Sequence, residues 1–340
     1  MKKLKIMMTG LFISMFFIGF NPRISQAADM NFSVHANLPE NQQDKQVTYF
    51  DLLMKPEQKQ TITITVKNSA NKEETLLATV NNAQTNQNGV IDYTQHAKKK
   101  DPSLKIGIED IVKNNKQEIH LAPNEQKEVA FQLDMPVKPI KGTILGGIHL
   151  AKKEQKQEQK NNNVMIKNQY SYVIGLMVRE KTTNVAPRLQ LRSVQPELMN
   201  YRQVVTAHLQ NDQPTILRNL KVKATITKAG EKKSYKTAER SEMNMAPNSS
   251  FRFPIPWEET IKPGKYTLHL KAEAEQGKYT WTFSKKFTIK DKKVNQLNKE
   301  AIHEEKESFP VLGYLLIGFS LFLLIVIIYL VYRLKKKQHS

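Results

Sequence analysis

The sequence predicts an all-β fold in which two tandem antiparallel β-sandwiches precede one C-terminal transmembrane helix. Three observations support this prediction. Apolar and polar residues alternate in many short segments, a short motif occurs twice, and one long uncharged apolar segment lies near the C-terminus. The 340 residues suffice for two ordinary domains and accessory segments.

Period-two alternation marks the strands. It is typical of strands with one buried face, and the Pro, Gly and Asn residues between the segments favour turns. Strands at this spacing predict antiparallel sandwiches. The segment "LKIGIEDIV" (104–112) fits either a strand or one helical turn. The alternating sets are Phe32/Val34/Ala36, Phe50/Leu52/Met54, Ile62/Ile64/Val66, Val129/Phe131/Leu133, Leu220/Val222/Ala224/Ile226 and Tyr266/Leu268/Leu270/Ala272.

A short internal repeat indicates that the two sandwiches share one topology. "LAPNEQKEVAFQL" and "MAPNSSFRFPI" both place Ala-Pro-Asn before alternating apolar residues. Gly142 or Gly264 follows each copy, and upstream one strand ends in "VKN" at Asn68 and another in "LQN" at Asn211. Pro belongs before a strand because it cannot donate to a ladder, and Gly permits a tight turn. Chance similarity is the alternative for so short a repeat.

Two polar stretches set the expected domain boundaries. "KKEQKQEQKNNN" (152–163) has no apolar residue and cannot form core. It is either a linker or, as we prefer, a long hairpin loop between the strands "GTILGGIHL" and "YSYVIGLMV". The first sandwich then spans 28–183 and the second spans 184–290. Residues 291–308 form a polar, partly helical stalk.

The two ends of the chain predict export and anchoring. Residues 1–27 resemble a cleaved signal peptide, with a basic start, an apolar run of about 15 residues and a terminal Ser-Gln-Ala. Residues 309–332 carry no charge and exceed the roughly 20 residues that a bilayer requires. The basic tail at 333–340 favours a cytoplasmic C-terminus. We expect a single-pass protein of the cell membrane with the ectodomain at 28–308 outside.

Charge and composition narrow the partners. The chain has 52 Lys and Arg residues against 32 Asp and Glu residues, a formal charge of +20. Four basic residues lie in the signal peptide and four in the tail, and neither segment has an acidic residue, so the ectodomain keeps a formal net charge of +12. Such a surface favours anionic wall polymers and lipid head groups. No nucleic-acid motif is present, and the lack of cysteine excludes disulfides and thiolate sites.

The sequence contains no motif that predicts catalysis, a metal site or a cofactor. HExxH, GxSxG, Gly-rich phosphate-loop and EF-hand patterns do not occur, and the eight histidines are scattered. No LPxTG motif follows the second domain, so covalent attachment to the wall is not expected. We therefore expect a protein that is not an enzyme.

Aromatic residues of the second domain suggest a partner contact. Trp257 follows "FPIP", and a Trp flanked by prolines in a loop is expected to be exposed. Phe251 and Phe253 lie beside it on a predicted edge strand. These three residues are the candidate partner-binding residues, with core packing as the alternative for Trp257. Trp281 alternates with Phe283 in "YTWTF" and is expected in the core.

Several segments resemble one family, the WxL-interacting proteins of Gram-positive bacteria. They are "FSVHANLPENQQDKQVTYFDLLMKPEQKQTITITVKN", "NGVIDYT", "GTILGGIHL", "YSYVIGLMVRE", "VKATITK", "MAPNSSFRFPI" and "GKYTLHL". The resemblance covers nearly the whole chain. It implies a peptidoglycan-binding first domain and a host-binding second domain, both immunoglobulin-like. It also implies a WxL-domain surface protein as partner, because this chain lacks the Trp-x-Leu motif itself.

The segment "PENQQDKQVTYFDL" (39–52) contains the candidate wall-binding residues Asn41, Gln42, Tyr49 and Asp51. Amides and a Tyr ring suit hydrogen bonds to sugars and peptides. Alternatively, the amides and Asp51 only satisfy backbone groups where one strand crosses to another. The sequence alone favours neither interpretation.

The resulting hypothesis is a membrane-anchored adaptor without catalysis that binds peptidoglycan and a WxL-type surface protein, a host matrix protein, or both. The alternative is a chaperone-like or wall-processing factor for exported proteins. In that case an exposed edge strand would accept a client strand, and "YSYVIGLMV" and "NFSVHA" are the candidate edges.

Overall fold

The computed structural model describes residues 31–153, 170–257 and 260–301, together with 318–322, 325, 326 and 329. The predicted signal peptide and cytoplasmic tail lie outside the described residues, as do most residues of the predicted membrane helix. Among the described residues, no helix combines the length and hydropathy needed to cross a membrane.

The first unit consists of two sheets around one hydrophobic core. Its sheets have the strand orders β1-β3-β8 and β2-β10-β9-β4-β7, with the small ribbon β5-β6 beside them. The bounds are β1 Phe32–Asn37, β2 Phe50–Leu53, β3 Lys59–Asn68, β4 Glu74–Asn82, β5 Gln84–Thr85, β6 Ile91–Asp92, α1 Ile108–Ile111, β7 Lys116–Leu121, β8 Gln126–Asp134, β9 Thr143–Lys152 and β10 Ser171–Arg179.

The alternation in the sequence decides which side chains form this core. Ile62, Ile64 and Val66 of β3 are at most 1% exposed, and Phe131 on the neighbouring strand is fully buried. Successive side chains of a strand point to opposite faces, so the residues between them meet solvent. The segment that fitted either a strand or a helical turn forms α1, whose Ile108 is also buried.

Strand pairing confirms the predicted hairpin and corrects two expectations. β9 and β10 pair antiparallel, as predicted for the strands on either side of the polar loop. β10 also pairs with β2, in parallel, so the first unit is not purely antiparallel. Parallel pairs need a long connection, and seven strands separate β2 from β10. Because β10 lies between β2 and β9, it is not an edge strand, whereas β1 is.

The second unit repeats this plan with antiparallel pairs throughout its described strands. Its sheets have the orders β11-β12-β15 and β14-β13-β16-β17 around a second core. The bounds are β11 Leu189–Met199, β12 Arg202–Asn211, β13 Leu217–Lys228, β14 Ser234–Met245, β15 Ser249–Pro256, β16 Gly264–Ala274 and β17 Tyr279–Ile289.

The start of the predicted stalk belongs to the second unit. A helix, α2, spans Asp291–Glu300, in agreement with the expected partial helicity. Val294 and Leu297 are buried in the second core, and the Nε2 of Gln203 donates a hydrogen bond to Asn298 at 2.6 Å. These residues therefore do not act as a free spacer, because their apolar face packs on the sheets.

The internal repeat corresponds to one buried asparagine in each unit. The Nδ2 of Asn68 donates to the carbonyl of Ala122 at 2.9 Å and to that of Lys72 at 2.8 Å. The Nδ2 of Asn211 likewise donates to Ala246 at 3.2 Å and to Thr215 at 2.7 Å. Ala122 and Ala246 are the alanines of the two Ala-Pro-Asn copies. Each strand end is thus tied to the turn that starts a neighbouring strand.

The two units also contact each other directly. The hydroxyls of Thr85 and Ser249 are 2.5 Å apart, and the backbone N–H of Thr143 donates to the carbonyl of Pro214 at 2.8 Å. A Cβ at Gly142, whose φ is +64°, would lie 2.1 Å from the same carbonyl oxygen. Glycine at 142 is therefore needed for this contact as well as for the turn.

Replacing either buried asparagine by alanine should destabilise the protein by about 1–3 kcal/mol, because two backbone carbonyls lose the side-chain donor that they share. Chemical denaturation of Asn68→Ala and Asn211→Ala would measure the loss. Gln126→Ala, which truncates an exposed side chain at the start of β8, is the control and should stay within about 0.5 kcal/mol of the wild type. A loss no larger than that of the control would show that the asparagines do not hold the turns.

Candidate functional site

The side-chain amides of the Pro39–Leu52 segment form hydrogen bonds within the protein itself, to backbone carbonyls and to another amide. Asn41 and Gln60 exchange two side-chain hydrogen bonds at 2.9 and 2.8 Å, and Asn41 also donates to the carbonyl of Leu53. Gln42 is buried, and its Nε2 donates to the carbonyl of Tyr49 at 2.9 Å. These bonds shape the connection between β1 and β2 from within. They favour the structural interpretation of the two amides.

Asp51 forms an ion pair inside the first unit. Its carboxylate is 5% exposed and accepts two hydrogen bonds from Arg179, from Nε at 3.0 Å and from Nη2. The pair joins β2 to β10, the two strands of the parallel contact. Of the four candidate wall-binding residues, Tyr49 is the one with a large exposed side chain, 39% accessible.

Tyr49 lies on the face of the five-stranded sheet that points away from the core. Beneath it is Gly175 of β10, where an added Cβ would come within 3.4 Å of the Tyr49 Cβ. Gly175 pairs in register with Gly147 of β9. Tyr93 covers Gly147 more closely, since a Cβ added at Gly147 would lie 2.8 Å from the Cβ of Tyr93. We call Tyr49 and Tyr93 over this glycine pair the tyrosine platform.

Polar groups hold and surround the platform. The Nδ2 of Asn81, which pairs with Gly147 across β4 and β9, donates to the carbonyl of Tyr93 at 2.8 Å. Burial raises the pKa of Tyr93, and the positive charge of Arg218 opposes that shift. The phenol therefore remains protonated at neutral pH and can act as a hydrogen-bond donor.

His149 lies two residues beyond Gly147 and so faces the same side of the sheet. Burial lowers the pKa of His149, and the carboxylate of Asp92 opposes that shift. At neutral pH the imidazole is therefore uncharged and can donate one hydrogen bond and accept another. The platform thus combines aromatic faces with neutral polar groups, and one charge of each sign, Arg218 and Asp92, acts on it. Aromatic faces and neutral polar groups suit a polar ligand such as a sugar.

Sequence reasoning identified Tyr49 but missed Tyr93, Gly147 and Gly175. A signal for them was present, because glycine inside a strand often marks a close approach of another group. Both glycines lie within the predicted strands "GTILGGIHL" and "YSYVIGLMV", and Tyr93 lies in "NGVIDYT". Their meeting depends on strand register, which the sequence does not display.

The candidate partner-binding residues lie in the core of the second unit, and the expected exposure of Trp257 is wrong. Phe251 and Phe253 face inward from β15 and are 4% and 1% exposed, although β15 is an edge strand as predicted. Trp257 is 3% exposed and packs edge-on against Tyr235 and Tyr266 at centroid distances of 5.3 and 5.6 Å. A partner could touch these rings only if they left the core.

Trp281, expected in the core, is half-buried and packs against the second core with Phe283. In the part of the chain that the structure describes, no group of three or more His, Asp or Glu side chains is placed to hold a metal ion.

Two successive two-sheet units, the first with an aromatic platform on its outer face, define a two-domain all-β protein. Two family models match the chain in this order. "WxL Interacting Protein, peptidoglycan binding domain" matches residues 32–152, and "WxL Interacting Protein, host binding domain" matches residues 161–299. The chain therefore belongs to the family of WxL-interacting proteins, as its sequence resemblance implied.

The second family model begins inside the polar loop and therefore includes β10. In the structure β10 pairs with β9 and β2 of the first unit. The match boundary and the structural boundary thus differ by one strand. Because every residue of β10 pairs with β9, and four of them also pair with β2, we assign β10 to the first unit.

Comparison with solved structures gives only distant likenesses. One similar structure is described as "Chaperone-tip adhesin complex is vital for synergistic activation of CFA/I fimbriae biogenesis". It has 8% identity and a TM-score of 0.31, and the match covers 75% of this chain and 98% of the other. The YadV chaperone has 6% identity, coverage of 76% and 100%, and a TM-score of 0.28. The E. coli chaperone DraB has 16% identity, coverage of 76% and 98%, and a TM-score of 0.27. No curated protein matches the chain.

Trp257→Ala should lower the free energy of unfolding by about 3–5 kcal/mol, because it removes a large side chain from a packed core. Trp257→Phe should cost much less, since it keeps a ring in the same pocket. The Nε1–H that it removes is buried and has no hydrogen-bond partner among the described residues. Thermal and chemical denaturation of both variants would check this. An unchanged melting temperature for Trp257→Ala would contradict the buried position.

Proposed function

We propose that this protein is a membrane-anchored surface adaptor that is not an enzyme. Its first unit binds peptidoglycan through the tyrosine platform, its second unit binds a host protein, and the ectodomain associates with a WxL-domain surface protein. The observation that carries the proposal is the set of segments that contribute residues to the tyrosine platform. Its four residues come from four separate segments that carry the family resemblance, and the fold brings them together on one face.

The platform suits the glycan part of peptidoglycan. Aromatic rings have a negative π face that attracts the partly positive C–H groups of a sugar ring, and each phenol adds a hydrogen bond at the rim. The paired glycines leave the sheet flat beneath the rings. The two tyrosines therefore lie close to the backbone of β9 and β10, and a glycan strand would contact the outer side of their rings.

The proposed location rests on the two ends of the chain. An N-terminal signal peptide would export residues 28–308, and the uncharged segment 309–332 would hold them at the membrane. The Lys- and Arg-rich tail favours the cytoplasmic side for the C-terminus. The absence of catalysis in this proposal is supported by the descriptions of both family models, which name binding domains.

Tyr49→Ser should weaken binding of the protein to purified peptidoglycan about tenfold or more, because it removes an exposed ring from the proposed contact. The assay is co-sedimentation with sacculi from which anionic wall polymers have been stripped. Tyr49→Phe should keep most of the affinity, since the ring remains. The melting temperature should stay close to that of the wild type in both variants.

Tyr170→Ala is the matched control for this experiment. Tyr170 is similarly exposed, at 45%, and precedes β10, but it does not cover the glycine pair. Its truncation should leave sedimentation unchanged. Equal losses for Tyr49→Ser and Tyr170→Ala, or no loss for either, would refute the platform as the wall-binding site.

A reporter fused after Ser340 should be active in the cytoplasm, because the basic tail is expected to remain there. Protease added to intact protoplasts should remove both described units and leave the reporter with a short membrane fragment. Cleavage of this reporter by the external protease would show that the C-terminus lies outside the cell.

A further inference from the structure

A cleft of about 490 Å³ lies between the two units, outside the tyrosine platform. One wall belongs to the first unit and contains Asn82, Thr85 and the segment 97–104. The other wall belongs to the second unit and contains His208 of β12 and the segment 248–252. The volume lies in the range of roughly 300–1,000 Å³ that ligand sites occupy, and interfaces between domains are a preferred place for them.

Positive charge predominates in the cleft. Among the described residues that line it, three are Lys or Arg and one is acidic; the basic ones are Lys99, Lys100 and Arg252. Lys100 pairs with Asp110, and Arg252 pairs with Glu197 at 3.3 Å while 56% of its side chain stays exposed. Lys99 is exposed and comes from the opposite wall to Arg252. An anion between the walls would thus meet a cation on each side.

His208 stands beside Arg252, its partner in the register of β12 and β15. Burial lowers the pKa of His208, the positive charges of Arg252 and Arg192 lower it further, and Asp101 and Glu197 oppose them. The imidazole is therefore neutral at neutral pH. It can donate a hydrogen bond without adding a buried charge.

Hydroxyl and amide groups make up much of the remaining polar lining. Ser250 and Asn248 border the cleft from the second unit. Asn82 and Asp101 on the opposite wall each keep one buried side-chain atom, Nδ2 and Oδ2, without a hydrogen-bond partner among the described residues. Buried polar atoms of this kind are uncommon and point to a place where internal pairing is incomplete. The wall thus has both donor and acceptor capacity beyond its cations.

We propose that this cleft binds a phosphodiester-linked polyol, in which phosphate groups alternate with free hydroxyls. The phosphate would lie between Lys99 and Arg252 and accept a hydrogen bond from His208, and the hydroxyls would face the polar side chains of both walls. This ligand class uses the cationic and the neutral polar groups together. An anionic peptide would use the cations but would leave the hydroxyl-matched lining without a role.

The test is calorimetric titration of the full chain, in detergent, with a synthetic oligomer of glycerol phosphate. Removing both cations in Lys99→Gln/Arg252→Gln should lower affinity about tenfold or more, roughly 1.4 kcal/mol or more. The matched control, Lys67→Gln/Lys286→Gln, removes the same charge from exposed positions on β3 and β17. It should change affinity less than twofold. Equal losses in both double variants would show a general charge effect and overturn the proposal.

Two further measurements fix the site and the ligand class. Ser250→Glu leaves Lys99 and Arg252 unchanged and places an acid in the cleft, so it should abolish binding even if the double variant is unstable. Undiminished binding by a folded Ser250→Glu protein would exclude the cleft.

Poly-glutamate of equal charge should bind at least tenfold more weakly than the phosphodiester, and equal binding would refute the polyol-phosphate class. Tyr49→Ser should not alter this binding, which separates it from peptidoglycan binding.

Discussion

The structure depends most on the buried asparagine at the end of one strand in each unit. Asn68 and Asn211 are fully buried and turn their amides toward the Ala-Pro-Asn segment that precedes a neighbouring strand. Proline removes one backbone donor from the segment, and the asparagine that follows it has a positive φ. One asparagine side chain in each unit thus adds a donor to the alanine carbonyl of this turn. The register of β3 with β8, and of β12 with β15, follows from this fixed point.

The proposed binding face depends on a second register, that of β9 with β10. In the first unit the core positions of β9 and β10 leave Gly147 and Gly175 side by side on the outer face. Aromatic rings can then pack directly on backbone, and the ion pair of Asp51 with Arg179 holds β2 and the Tyr49 segment against β10. Asn41, Gln42 and Asp51, which the sequence offered as ligand-binding residues, thus position the exposed Tyr49. If Tyr49 binds the wall as proposed, structural and binding roles are divided within this short segment.

Local patterns allowed most strands to be predicted, because alternation, prolines and glycines act over a few residues. The hairpin of β9 and β10 was also predictable, since both strands are apolar and the polar loop between them cannot form core. The parallel pairing of β2 with β10 could not be predicted, because no local pattern near Phe50 indicates a strand partner more than a hundred residues later in the chain. Tyr93 was missed for the same reason. Trp257 was misjudged because prolines nearby suggested a loop, whereas Tyr235 and Tyr266 from other strands cover its ring.

Contacts between the units bear on how two binding activities can share one chain. Thr85 reaches Ser249 and the backbone N–H of Ala246, and Gln210 donates to Asp101 across the same boundary. Gly142 lets the turn before β9 approach Pro214 so closely that any side chain would collide. Because β9 carries half of the glycine pair, the strand under the platform is also held from the second unit. The turn before β9 is therefore joined to the second unit through the backbone hydrogen bond of Thr143 to Pro214, and residues of both units line the cleft.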